Sequence, residues 1–192
     1  LVPVRSSELT LPSGAGQQVC SGGQGKLIVT VKPITTQASS LLPYRGKDQA
    51  ALEALKPTRF IQSESEEIIA LARRAVGDAA HAAQAAGRIE SFVYDYIRDK
   101  DLSVGYASAI EVVRSRQGDC TEHALLTTAL CQAAGIPARV VNGMVYVKRF
   151  ARRQNVFVGH AWTQVFIGEQ WICLDATRAP NGYSAGHLIL ET

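Results

Sequence analysis

The chain has 192 residues, 46% hydrophobic and 19% charged, which suits one well-buried core with room for a small appendage. Twenty Lys and Arg against seventeen Asp and Glu leave a net charge of +3, too weak to mark a nucleic-acid surface. No apolar run reaches the roughly 18–20 residues of a membrane-spanning helix, so neither nucleic acid nor a membrane span is expected, and the oligomeric state is not readable. The chain opens at Leu1 without a signal-peptide pattern and reads as a processed product or an excised domain, which leaves its compartment open, an extracytoplasmic one included.

Residues 1–40 are rich in Ser, Gly, Thr and Pro, with one strand candidate, Lys26–Lys32, closed by Pro33. They are expected to form a β-containing arm or the end of a preceding domain, with the main domain over 41–192. Leu41–Pro57 reads as a connector. Helical composition follows over Glu64–Val76. Over Gly87–Lys100, Ile89, Phe92, Val93, Tyr96 and Ile97 make the stripe of a core-facing helix. Ser108 and Glu111 have the spacing of a capping box and predict a short helix. Gly118-Asp119 breaks the chain, and a helix is predicted from Cys120 to about Ala134, burying Leu126, Ala129, Leu130 and Ala133. Gly135 supplies the left-handed stop, and Pro137 prevents a restart.

Strands follow over Arg139–Val147, Phe157–Ile167 and Trp171–Leu174. The basic run Lys148–Arg153 reads as a solvated loop between two of them. Helices first and an antiparallel sheet second make an α+β layout. Gly168-Glu169 suits a two-residue type II′ hairpin turn. That loop length places even positions of the strand before it on the face that carries odd positions of the strand after it.

The four cysteines, at 20, 120, 131 and 173, have neither C-x-x-C spacing nor the density of a disulfide scaffold. Cys120 differs from the others by opening a helix, where unpaired backbone N–H groups and the positive end of the helix dipole favour the thiolate. Cys131 lies about 16 Å further along the same helix and reads as core, and Cys173 as core or packing near a site. In the hairpin register His160 and Asp175 share a face and one end of the hairpin as diagonal neighbours. A carboxylate there can hold one imidazole nitrogen and leave the other for a thiol. His123 lies one turn from Cys120, where the helix aims both side chains outward in parallel and leaves no orienting acid in register. Glu122 reads as a first-turn acid that favours the helix start. His81 reads as solvated, and His187, near the chain end, has no partner that the sequence names. Cys120, His123, His160 and Asp175 are residue types that zinc accepts, but the spacing is not a zinc pattern, so neither metal nor cofactor is expected.

Three stretches resemble the transglutaminase-like superfamily. Gly118–Gly143 is similar to that family's cysteine helix followed by its G-I-P-A-R strand entry. His160-Ala-Trp-Thr-Gln-Val165 is similar to its histidine strand, and Trp171-Ile-Cys-Leu-Asp-Ala-Thr177 to its aspartate strand. Three linked motifs in order are far more specific than any one. The resemblance implies a papain-like α+β core with helices first and the cysteine helix packed on an antiparallel sheet. It implies a catalytic domain over 41–192 that works by thiol acyl transfer, with Cys120 as nucleophile, His160 as base and Asp175 as orienting acid. The substrate would be a protein or peptide, attacked at peptide or glutamine-type amide bonds. Ala176 stands where proline is frequent and Gln164 where Glu is frequent. The only tryptophans are Trp162 and Trp171, so the upstream tryptophan of the calcium-dependent animal enzymes is missing, and their cross-linking activity and calcium sites do not carry over. The chain resembles the small bacterial members more closely. Tyr106 and Gln117 are candidates for a second oxyanion donor beside the Cys120 N–H. The alternative is a non-catalytic protein-binding module that retains the fold.

Overall fold

The computed structural model describes residues 10–34, 40–100 and 107–192. A small antiparallel hairpin comes first, β1 (Gln17–Ser21) and β2 (Leu27–Val31). Helices follow as α1 (Gln49–Glu53), α2 (Glu66–Val76), α3 (Ala82–Tyr96), α4 (Ala109–Ser115) and α5 (Cys120–Ala133). Strands β3 (Ala138–Phe150), β4 (Arg153–Ile167), β5 (Gln170–Leu174) and β6 (His187–Glu191) then form one antiparallel sheet in the order β5-β4-β3-β6. The α+β expectation holds, with the cysteine helix against an antiparallel sheet.

Helix α5 is buried over Glu122–Gln132, so it runs through the interior and not along a surface. One side of it packs with Ile68, Leu71, Ile89, Val93 and Val112 of the other helices, and the other side with Val165, Ile167 and Ile172 of the sheet. Thr163 fixes the helix to the sheet through its hydroxyl, which donates to the Ala124 carbonyl at 3.1 Å and lies 3.2 Å from the Thr128 hydroxyl. The expected stripe on α3 is present, with Ile89, Val93 and Ile97 fully buried and Phe92 stacked on Tyr96. That helix is displaced toward the N-terminus from its expected span. Ile97 turns extended, and Arg98 and Asp99 donate their N–H groups to Arg116 O, which draws the chain out of helical geometry.

The opposite face of the sheet carries a second cluster, Val141, Trp162 and Ile189, with Cys173 and Tyr183 against it. β3 and β4 run further than expected, so the basic stretch 148–153 belongs to their outer ends and the turn between them. The expected type II′ turn at Gly168-Glu169 is corrected. Both residues have positive φ, +60° and +61°, which is type I′ geometry. β1, α1 and β6 were not anticipated. β1 docks on the sheet through Gln17, whose side-chain amide donates to Ile189 O at 3.0 Å and whose carbonyl accepts Ile189 N–H at 2.7 Å.

Candidate active site

Cys120 is the first residue of α5 and is half-buried. The turn before it is fixed by local chemistry. Gly118 has φ +154°, and a Cβ there would run into the Glu122 side chain. Asp119 caps the helix, its Oδ1 accepting Thr121 N–H at 2.8 Å. Glu122 completes a capping box by accepting Asp119 N–H at 3.0 Å through Oε2, and it accepts Ala107 N–H at 3.1 Å through Oε1. Glu122 is therefore more than a favourable first-turn charge. It is a buried staple between the helix start and Ala107, the residue before the N-cap of α4. Burial raises its pKa, and the two backbone N–H bonds oppose that rise.

His123 is also buried, with Nδ1 at 2.6 Å from Asp119 O. The expectation that it points outward is corrected: it braces the N-cap residue of its own helix. It does not stand between Cys120 and a carboxylate, and burial lowers its pKa. His81 is exposed at the N-cap of α3, as expected.

His160 lies on β4 opposite Gly143 of β3. Thr163 pairs with Leu174, so Trp162 stands opposite Asp175 and His160 is the diagonal neighbour. The side chains meet, His160 Nε2 lying 2.8 Å from Asp175 Oδ2. Nδ1 is the ring nitrogen left for Cys120. The His160 side chain is only 8% exposed, and burial alone would lower its pKa; the bond to Asp175 and the interaction with Cys120 outweigh burial and raise it to about 9. Burial likewise disfavours the charged form of Asp175, yet His160 and His187 hold its pKa down at about 2.

His187 is the residue that sequence reasoning missed. It opens β6 with no exposed surface, and its Nε2 lies 2.9 Å from the same Asp175 Oδ2. The alternation in His187-Leu-Ile-Leu was the available signal for that strand, but nothing local tied it to Asp175. The remaining contacts of Asp175 complete a closed shell. Its Oδ1 accepts Thr177 N–H at 3.1 Å, its own N–H donates to Glu90 Oε1 at 2.7 Å, and Arg178 Nε lies 4.0 Å from Oδ2. Glu90 is raised in pKa by burial, a rise that the Asp175 N–H opposes and the Asp175 charge adds to.

Cys120, Thr121, Gly143, Gly159, His160 and Glu191 line a cleft of about 400 Å³. The structure brings together Cys120, His160 and Asp175, the three residues that the sequence singles out. Gln117 is exposed and tied to Asp99, its Nε2 donating to Oδ2 at 3.2 Å, and Tyr106 lies outside the described residues. The ligating atoms of His160, Asp175 and His187 lie within 4.8 Å of one another, whereas Cys120 and His123 belong to no such group among the described residues. Both imidazole–carboxylate contacts have the lengths of hydrogen bonds.

The model of the transglutaminase-like superfamily matches residues 69–176, more than half of the chain, and the chain belongs to that family. Among solved structures it is similar to a candidate cysteine protease from Cytophaga hutchinsonii, at 23% identity and a TM-score of 0.67 over 91% of this chain and 65% of that one. It is also similar to the periplasmic domain of TgpA from Pseudomonas aeruginosa, at 21% identity and a TM-score of 0.51 over 68% of this chain and 48% of that one. At such identities the likeness is one of fold, and the chain spans less than two thirds of either structure. No curated protein sequence matches it. Family and fold together define a thiol-enzyme class at the coarse level. No helix among the described residues is long and apolar enough to cross a membrane.

Proposed function

We propose that this domain is a thiol acyl-transfer enzyme in which Cys120 is the nucleophile, His160 the acid–base partner and Asp175 the orienting acid, acting on peptide or glutamine-type amide bonds. The observation that carries the reading is the 2.8 Å contact from His160 Nε2 to a buried Asp175, with the same ring interacting with the thiol at the start of α5. A carboxylate on one nitrogen fixes the imidazole's tautomer and orientation, and the other nitrogen exchanges a proton with sulfur.

The Cys120 thiolate adds to the amide carbonyl, forming a C–S bond while the carbonyl electrons move to oxygen. As the first residue of a helix, Cys120 has a backbone N–H with no carbonyl one turn earlier to bond, and it serves as one oxyanion donor. The intermediate collapses, the C–N bond breaks, and the His160 imidazolium gives its proton to the departing amine or ammonia. Water, deprotonated by the now neutral His160, then attacks the thioester and releases the acid and the thiol. We infer hydrolysis ahead of transfer to an amine, because none of the described residues that line the cleft argues for a lysine acceptor.

The test is mass spectrometry of the chain after incubation with a panel of glutamine peptides, with and without an added amine, beside Cys120→Ala. An adduct on Cys120 with loss of ammonia, followed by deamidated peptide, is the expected result. Amine-linked product would move the reading from hydrolysis to transfer. No adduct and no turnover, with Cys120 no more reactive toward iodoacetamide than the exposed Cys20, would make the domain a binding module that keeps the fold.

A further inference from the structure

Asp175 Oδ2 is shared. His160 on β4 reaches it from the cleft side, and His187 on β6 reaches it from the interior. Hydrogen-bond chemistry fixes what His187 does there. An ionised carboxylate only accepts, so His187 must present Nε2–H. In the neutral ring Nδ1 is then an acceptor, and the Ser184 N–H stands 3.2 Å from it to donate. A proton on Nδ1 would instead meet Ser184 O at 3.0 Å, so either form of the ring keeps its donor on Asp175.

The ring is also held on its faces. Tyr183 lies at 4.5 Å between centroids and Trp162 at 5.2 Å, edge to face. Trp162 in turn stacks near His160 at 5.9 Å. His187 is thus among the most rigidly placed side chains around the site, and it acts on the carboxylate that holds the acid–base imidazole.

We propose that His187 is a positioning residue: by donating to Asp175 Oδ2 it keeps that oxygen aimed at His160 Nε2. The inference rests on the reading of His160 as the acid–base partner only for its significance, since the contact itself can be tested without substrate. A carboxylate can rotate about two bonds. The Thr177 N–H holds Oδ1, and His187 is the second point that defines the plane. Removing that point frees Oδ2 to swing toward Arg178, whose Nε lies 4.0 Å away on the adjacent 3₁₀ turn (Ala176–Arg178). The other ionisable groups around the pair are Cys120 and His123 of α5 and Glu90 of α3.

The test measures the His160 titration midpoint by NMR of the imidazole C–H groups in the whole chain, for wild type, His187→Gln and His187→Asn. The Gln amide nitrogen takes the place of Nε2 and reaches Asp175. The Asn amide takes the place of Nδ1 and reaches only Ser184. Expected is a midpoint in His187→Gln close to wild type, and one in His187→Asn lower by about one pH unit, as a loosened ion-pair partner gives. A purely structural role would make both variants follow their melting temperatures, whatever donor they keep. Equal midpoints in all three proteins would overturn the proposal. So would a rise in His187→Asn, which would mean that His187 merely competes with His160 for the oxygen. Iodoacetamide labelling of Cys120 in the same samples separates this from the enzyme reading. A wild-type thiol of ordinary reactivity sinks that reading, while the three midpoints still decide the role of His187.

Discussion

Asp175→Asn is the sharpest perturbation of the site, because it removes one charge and changes almost no volume. The Asn carbonyl can still accept from His160 Nε2, so geometry is largely kept and only the electrostatics change. His160 sits at about 9 against an ordinary 6.5, a difference worth about 3 kcal/mol in favour of the imidazolium. Burial works against that cation, so the stabilisation comes from Asp175 and Cys120. Without the carboxylate charge, burial is opposed only by Cys120 and by a neutral hydrogen bond to the Asn carbonyl, and the midpoint should fall to about 6.5 or below. At pH 7.5 the protonated fraction of His160 then drops from more than about 90% to about 10% or less. Two measurements report it: the imidazole titration by NMR, and the rate of Cys120 alkylation by iodoacetamide across pH, which tracks the thiolate that the imidazolium supports. A His160 midpoint within about half a unit of wild type in the Asn variant would refute the argument, because the raised value would then not come from this carboxylate.

Two further outcomes follow from the same shell and from the floor of the cleft. His160 is raised when folded, so its contribution to stability is full below about 6.5 and is lost as pH rises through about 9. Asp175 is depressed, so its contribution is full above 3.8 and is lost as pH falls through about 2. Melting temperature against pH should therefore show a plateau from about 4 to 6.5 with a loss on both sides, and Asp175→Asn should flatten both limbs. Gly143→Ala should cost about 1–3 kcal/mol in urea unfolding, because the added methyl meets the Leu188 carbonyl and the Trp162 ring; an unchanged midpoint would show that the sheet yields there at no cost.

What could be read from the sequence divides by the distance over which a feature is determined. The position of the proposed nucleophile is set within five residues, Gly118 to Glu122, so local chemistry was enough to start α5 at Cys120. The His160–Asp175 contact is set by one hairpin. The expected turn type was wrong, yet the contact was right, because types I′ and II′ both close a two-residue loop and loop length fixes the register. β1 and β6 were not legible for the opposite reason. Each is five residues long, and what holds them is remote: β6 pairs with β3, and Gln17 bonds Ile189 across almost the whole chain. His123 was placed on the correct helix but at the wrong depth, because α5 is buried all round and one-sided periodicity does not apply to it.

The same division explains why Asp175 could be set beside His160 while its second histidine could not be named. A buried carboxylate that stays ionised needs its acceptor sites filled, and one imidazole fills only one of about four. The need for further donors could therefore be stated from Asp175 alone, once its burial is granted. Their identity could not, because they arrive from β6 and from the 3₁₀ turn, while Glu90 of α3 closes the site from the other side by accepting the Asp175 backbone N–H. Asp175 is where these elements meet, and it has no exposed surface there. Any substitution that shifts β6 against β3 then moves a donor of the carboxylate that orients His160, although β6 contributes no member of the proposed triad. The Asn142/Gly143 irregularity in the β3–β6 register lies within that coupling, since Gly143 pairs with both His160 and Ile189. A glycine at that position lets β6 approach closely enough for His187 to reach the carboxylate, which ties the shape of the cleft floor to the orientation of His160.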